Sequence, residues 1–149
     1  MLHTVWLVPA LPLAGFLLLV LFGRRLAEPT AGWLAATMCG SSFFVTVLVF
    51  LDMVSKTAEE RSHVVRVFSW IPVGSLQVDL AFLADQLSIT MALFITGIGT
   101  LIHLYAIGYM HGDPKFSKFF IYLNLFVFSM LMLVLGENLL VTFLGWEGV

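Results

Sequence analysis

Apolar stretches long enough to cross a bilayer recur along this chain, and they constrain its fold more than any other feature. They run from Val5 to Phe22, from Trp33 to Val54 with no charge before Asp52, from Gln86 to Met110, and from Lys118–Phe119 to Leu135. Each is close to the ~20 residues that a helix needs to span a hydrocarbon core of ~30 Å. Lipid offers a peptide group no hydrogen-bonding partner, so each stretch must satisfy its own backbone and is predicted to be helical. Composition agrees. Hydrophobic residues make up 60% of the chain and charged ones 11%, against ~25% charged in soluble domains. Too few charges remain to coat a water-facing surface. The predicted fold is an all-α, polytopic membrane helix bundle.

A fifth apolar run covers 138–149. Its 12 residues reach only ~18 Å as a helix, too short to cross. It is expected to be the start of a fifth span, in a chain that is a piece of a longer one. Arg24 and Arg25 follow the first span, and nothing basic precedes it, the reverse of a secretory signal. Basic residues in short loops mark the inner side. Lys115 and Lys118 then share that side, and the four account for most of the seven lysines and arginines. The N-terminus is expected outside.

The connection between the second and third spans differs in kind. Beyond the charged stretch Lys56 to Arg61, the run from Val64 to Ile71 is rich in β-branched and aromatic residues. Pro72-Val73-Gly74-Ser75 has turn chemistry. Leu76, Val78, Leu80 and Phe82 then alternate with Gln77, Asp79 and Ala81, the period of a half-buried strand. A β-hairpin over about 64–82, lying on the outer face, is predicted.

Several chemistries find no candidates. A net charge of −2 gives no footprint for nucleic acid. The single cysteine, Cys39, sits in an apolar run and reads as a small packed residue. There is no glycine-rich phosphate loop, HExxH or CxxC, so no ligands for NADH, flavin, iron–sulfur clusters or a metal are expected in this chain.

Ionisable residues within membrane spans are costly and need a reason. Asp52, Asp85 and Glu137 lie at span ends, where headgroups and water reach them. Glu147 is different. It lies nine residues beyond Asn138, ~13–14 Å along a helix, near the middle of the core. Its neighbours Leu144, Gly145, Trp146, Gly148 and Val149 cannot neutralise it. A carboxylate so placed takes up a proton or pairs with a cation from another helix, facing the bundle and not lipid. His103, toward the inner end of the third span, is a second candidate, as a proton relay or as a packed hydrogen-bonding residue. His3 and His111 read as surface residues.

The run Asp85-Gln86-Leu87-Ser88, with Leu101 to Met110, resembles the third helix of the complex I L-subunit family. Phe119 to Phe126 with Phe128-Ser129-Met130 is similar to its fourth helix, and Phe143-Leu144-Gly145-Trp146-Glu147-Gly148-Val149 to the opening of its fifth. Phe68-Ser69-Trp70 to Asp79 is similar to the family's outer-face hairpin. The likeness covers the chain from about residue 64; the first two spans match in placement only. It implies a fragment holding Glu147, the acid of a carboxylate–lysine pair whose lysine lies on a later helix. It also implies a membrane subunit of a proton-translocating NADH:quinone oxidoreductase in a bacterial inner (plasma) membrane. NADH, FMN, iron–sulfur clusters and quinone would belong to other subunits. The implied partners are other complex I membrane subunits, lipid and protons. Two alternatives stand: the large subunit of a multi-subunit cation/proton antiporter, which shares the Gly-Trp-Glu motif, and a structural or assembly protein, which predicts no acid at this depth. The Asp113-Pro114-Lys115 loop and the hairpin favour the respiratory subunit.

Overall fold

The computed structural model describes residues 2–23, 25–26, 28–57, 60–74 and 76–149. Arg24 and Ser75, used above for the inner loop and the turn, lie outside them. A short 3-10 turn (Leu2–Thr4) leads into α1 (Leu7–Phe22) and then α2 (Thr30–Val54). Strands β1 (His63–Val73) and β2 (Leu76–Ala84) follow, then α3 (Gln86–Tyr109), α4 (Phe116–Leu135) and α5 (Leu139–Gly148). The first four helices are long and apolar enough to cross a membrane.

In lipid there is no hydrophobic drive between helices, so close packing needs small residues at the seams. Helix α2 supplies them: Ala31, Ala35, Cys39, Ser42 and Thr46 are all fully buried at spacings of three or four. They form one stripe against α1, α3 and α4. Gly99 of α3 lies against Cys39 and Val127, and Gly15 of α1 against Met38 and Asn124. Helices α2 and α4 touch across the bundle, with α1 on one side and α3 on the other.

Helix α1 contains Pro12, which lacks an N–H and so leaves the carbonyl one turn earlier without its helical donor. That carbonyl belongs to Val8. The hydroxyl of Ser42, on α2, donates to it at 2.6 Å. The α3 start is also fully specified. Asp85 accepts from Ser88 N at 2.7 Å, while Asp85 N donates back to Ser88 Oγ at 3.0 Å, a reciprocal cap.

The hairpin is antiparallel, pairing His63 with Ala84 through Val73 with Leu76. Gly74 turns the chain at φ +58°, a conformation that glycine adopts without penalty. Register shifts between Arg66 and Phe68 and between Ser69 and Ile71 break the alternation on β1, which stays largely exposed. Arg66 pairs with Asp79 across the strands at 2.7 Å. The other edge of β2 meets the α4–α5 turn, where Phe82 bridges Gly136 and Glu137 N donates to Ala81 O at 3.1 Å. At the opposite end of the bundle, Gly112 N donates to Glu28 Oε2 at 3.0 Å, and His111 lies 3.5 Å from the same carboxylate. The α1–α2 and α3–α4 loops therefore share one end, the hairpin and the α4–α5 turn the other.

His3, read from sequence as a surface residue, meets His63 of β1 with ring nitrogens 3.0 Å apart. Partial burial, then the charges of His3 and Lys56, lower the His63 pKa. The folded state thus favours neutral imidazole. The stability tied to it is complete above the unfolded value of ~6.5 and is lost as pH falls through the lower folded value. Acidification from about pH 7.5 to about pH 5 should therefore lower the protection factors of the amides in Leu2–Thr4, taken against the intrinsic exchange rate at each pH, and His3→Gln should flatten that response. Equal protection factors at both pH values would contradict it. Ser42→Ala leaves Val8 O bare in a dry seam and should destabilise the protein by about 1–3 kcal/mol, measured by reversible unfolding in detergent. An unchanged midpoint would show that Val8 O finds another donor.

Candidate functional site

Helix α5 begins at an N-cap supplied by Asn138, whose Oδ1 accepts from Val141 N at 3.1 Å, replacing a missing helical partner. Val141 and Gly145 are buried, and with Gly148 they share one face of α5 by their spacing. A methyl group on Gly145 would run into the Leu133 backbone, and one on Gly148 into the Ser129 side chain. The α4–α5 seam is therefore nearly backbone to backbone. Ser129 lies six residues before the end of α4, so this level is ~9 Å in from the hairpin end of a helix ~30 Å long.

Glu147 sits at this level on a different face of α5. Its side chain is exposed, pointing away from α4. The bundle-facing position expected for it belongs to the complete protein, with a cation from another helix. Among the described residues α5 packs chiefly on α4, and the face that it turns to α4 carries Gly145 and Gly148. Among the described residues no hydrogen bond or ion pair reaches Glu147.

His103 is fully buried inside the bundle. Its Nδ1 lies 2.7 Å from Gly99 O. A carbonyl only accepts, so Nδ1 carries the proton and neutral imidazole leaves Nε2 as an acceptor. Nε2 has no hydrogen-bond partner among the described residues. The ring packs near Phe120, with centroids 6.2 Å apart. One turn along α4, Asn124 donates to Phe120 O at 3.3 Å and is likewise fully buried, with Oδ1 unpartnered. Among the described residues no hydrogen bond, ion pair or ring contact joins His103 to Glu147; they stand on α3 and α5. The hydroxyls nearby are spent locally, Thr96 on Ala92 O at 2.6 Å and Thr100 on Thr96 O at 2.7 Å.

The three span-end acids have structural partners. Asp52 pairs with Lys56 at 3.4 Å, Asp85 caps α3, and Glu137 accepts from Asn138 Nδ2 at 3.3 Å. Asn138 itself carried no signal beyond its place before an apolar run. Its second bond, Nδ2 to Asp79 O at 2.8 Å, spans 59 residues, and no local pattern encodes that. Among the described residues no three His, Cys, Asp or Glu side chains cluster as a metal-binding group.

The family description "NADH-Ubiquinone oxidoreductase (complex I), chain 5 N-terminus" matches residues 70–120, from the end of β1 into α4. NADH-quinone oxidoreductase subunit L of Mycobacterium tuberculosis (strain ATCC 25618 / H37Rv) is 45% identical over 147 residues, covering 99% of this chain and 23% of that protein. The Escherichia coli (strain K12) subunit L is 39% identical over 139 residues, covering 93% of this chain and 22% of its own length. A chain in the solved structure of the Mrp complex from Dietzia sp. DQ12-45-1b superposes with a TM-score of 0.75 at 25% identity. That match covers 97% of this chain and 15% of the other. The chain thus spans less than a quarter of the length of the curated relatives described here.

Proposed function

This chain is a relative of NADH-quinone oxidoreductase subunit L, and on that premise we propose that it forms the N-terminal membrane region of such a subunit and takes part in proton translocation. NADH, FMN, iron–sulfur clusters and quinone are handled by other subunits of the parent complex. The observation that carries the reading is Glu147, an acid on an apolar helix, well inside the span and without a cation among the described residues. Such a carboxylate holds a proton or awaits a positive partner. In the resemblance that partner is a lysine on a later helix. A lysine drawn close favours the ionised carboxylate, and its withdrawal favours protonation. A conformational or charge change elsewhere in the complex is thereby converted into proton uptake and release. His103 is the second candidate proton-handling group: its Nε2 lone pair lies inside the bundle as an open hydrogen-bond acceptor.

The subunit sits in the bacterial plasma membrane beside other membrane subunits, with the N-terminus and hairpin outside. The shared end of the two short basic loops supports this orientation, since Arg25, Lys115 and Lys118 then lie on one side. The likeness to the Mrp chain favours a second reading, the large subunit of a multi-subunit cation/proton antiporter. The higher identity, 45% against 25%, favours the first. A purely structural protein has no use for Glu147.

In the assembled complex, Glu147→Gln should lower protons pumped per electron several-fold in membrane vesicles, with complex content unchanged. Glu147→Asp should do less harm, since it keeps the charge and shortens the reach by one methylene. Normal pumping in Glu147→Gln would remove this residue from the mechanism. For orientation, Arg25→Cys and Lys115→Cys in a Cys39→Ala background should react with impermeant thiol reagents only in broken cells, and Val67→Cys in intact ones. The opposite pattern would invert the topology.

A further inference from the structure

We propose that Asn138 is a positioning residue that sets where Glu147 stands by tying the first turn of α5 to the hairpin. The inference rests in part on the reading of Glu147 as a proton-handling group. Both ends of the Asn138 amide are in use. Oδ1 accepts from Val141 N at 3.1 Å and closes the open end of α5, while Nδ2 donates to Asp79 O of β2 at 2.8 Å. The preceding residue adds a second tie, Glu137 N to Ala81 O at 3.1 Å. The carbonyl that Asn138 grips belongs to the residue whose carboxylate pairs with Arg66 of β1 at 2.7 Å. A continuous path therefore runs from β1 through Asp79 and Asn138 into α5.

The chemistry narrows the choice of side chain. Aspartate caps a helix but has no donor for Asp79 O, and serine caps it with a shorter arm. Asparagine alone among the good caps offers an acceptor and an amide donor on one rigid plane. Past its first turn, α5 rests on α4 through Gly145 and Gly148, a smooth seam with few side chains to key its tilt. The cap therefore sets the angle. Nine residues of helix, ~13–14 Å, separate it from Glu147, so a tilt of ~5° at the cap moves the carboxylate by ~1 Å. A displacement of about 1 Å at a reacting group can cost about a hundredfold in rate.

The test uses the full-length subunit in its assembled complex. Asn138→Asp and Asn138→Ser keep an N-cap acceptor and remove the amide donor to Asp79 O. Asn138→Ser is the milder cut should the charge of Asn138→Asp block assembly. Two quantities are read: the position of Glu147 relative to β2 by electron cryomicroscopy, and protons pumped per electron. The expected result is a shift of Glu147 by about 1 Å or more together with a several-fold loss of pumping, at normal complex content. An unmoved Glu147 overturns the inference whatever happens to pumping, and, where Glu147→Gln impairs pumping, so does a moved Glu147 with normal pumping. Glu147→Gln run in parallel separates the two ideas. If it pumps normally, the proton-handling reading falls, while the measured shift still decides whether Asn138 places α5.

Discussion

Everything in this structure follows from a solvent that cannot hydrogen-bond. A peptide group left open in hydrocarbon costs several kcal/mol, so the fold is organised around leaving none. Within helices the hydroxyls of Thr37, Thr46, Thr90 and Thr96 turn back onto carbonyls one turn earlier in their own chain. The start of α3 closes on the reciprocal bonds of Asp85 and Ser88, and the start of α5 on Asn138. The hairpin obeys the same demand on its membrane-side strand: β2 pairs with β1 on one edge and with the α4–α5 turn on the other. Among the described residues no third strand pairs with the other edge of β1.

The same demand explains the two proton-handling candidates. A side chain that titrates is hard to place in such a medium, and the fold uses two different solutions. His103 is sealed inside the bundle beside Phe120 of α4, with one nitrogen committed to Gly99 O and the other left as an open acceptor. Glu147 is placed on an exposed face of a helix that, among the described residues, packs chiefly on α4. The first is buried with one ring nitrogen open, and the second is exposed without a cation among the described residues.

How much of this was legible in the sequence depends on range. The spans were readable because length and hydropathy are properties of consecutive residues. The predicted start of the second at Trp33 falls three residues inside α2, since Thr30 to Gly32 lack the hydropathy but not the helix. The alternation of Val78, Leu80 and Phe82 revealed β2. It could not reveal the bulges that destroy the same pattern on β1. Bonds between distant residues were invisible: His3 to His63, Asn138 to Asp79 and Glu28 to Gly112 join partners that no local spacing connects. Glu147 was recognisable by its isolation. The direction it faces was not, because that depends on Gly145 and Gly148 taking the seam with α4.

The bond from Ser42 to Val8 carries a consequence of alignment. The stripe of small residues on α2 and the largely aliphatic surface of α1 carry few features that fix one axial position against another. Pro12 makes one position on α1 unlike every other, a bare oxygen, and Ser42 is the donor that α2 sets against it. A slip of ~5.4 Å, one helical turn, would leave that oxygen dry and the hydroxyl elsewhere. The proline thus acts as an index mark, and two smooth helices acquire a single axial register from one imperfection.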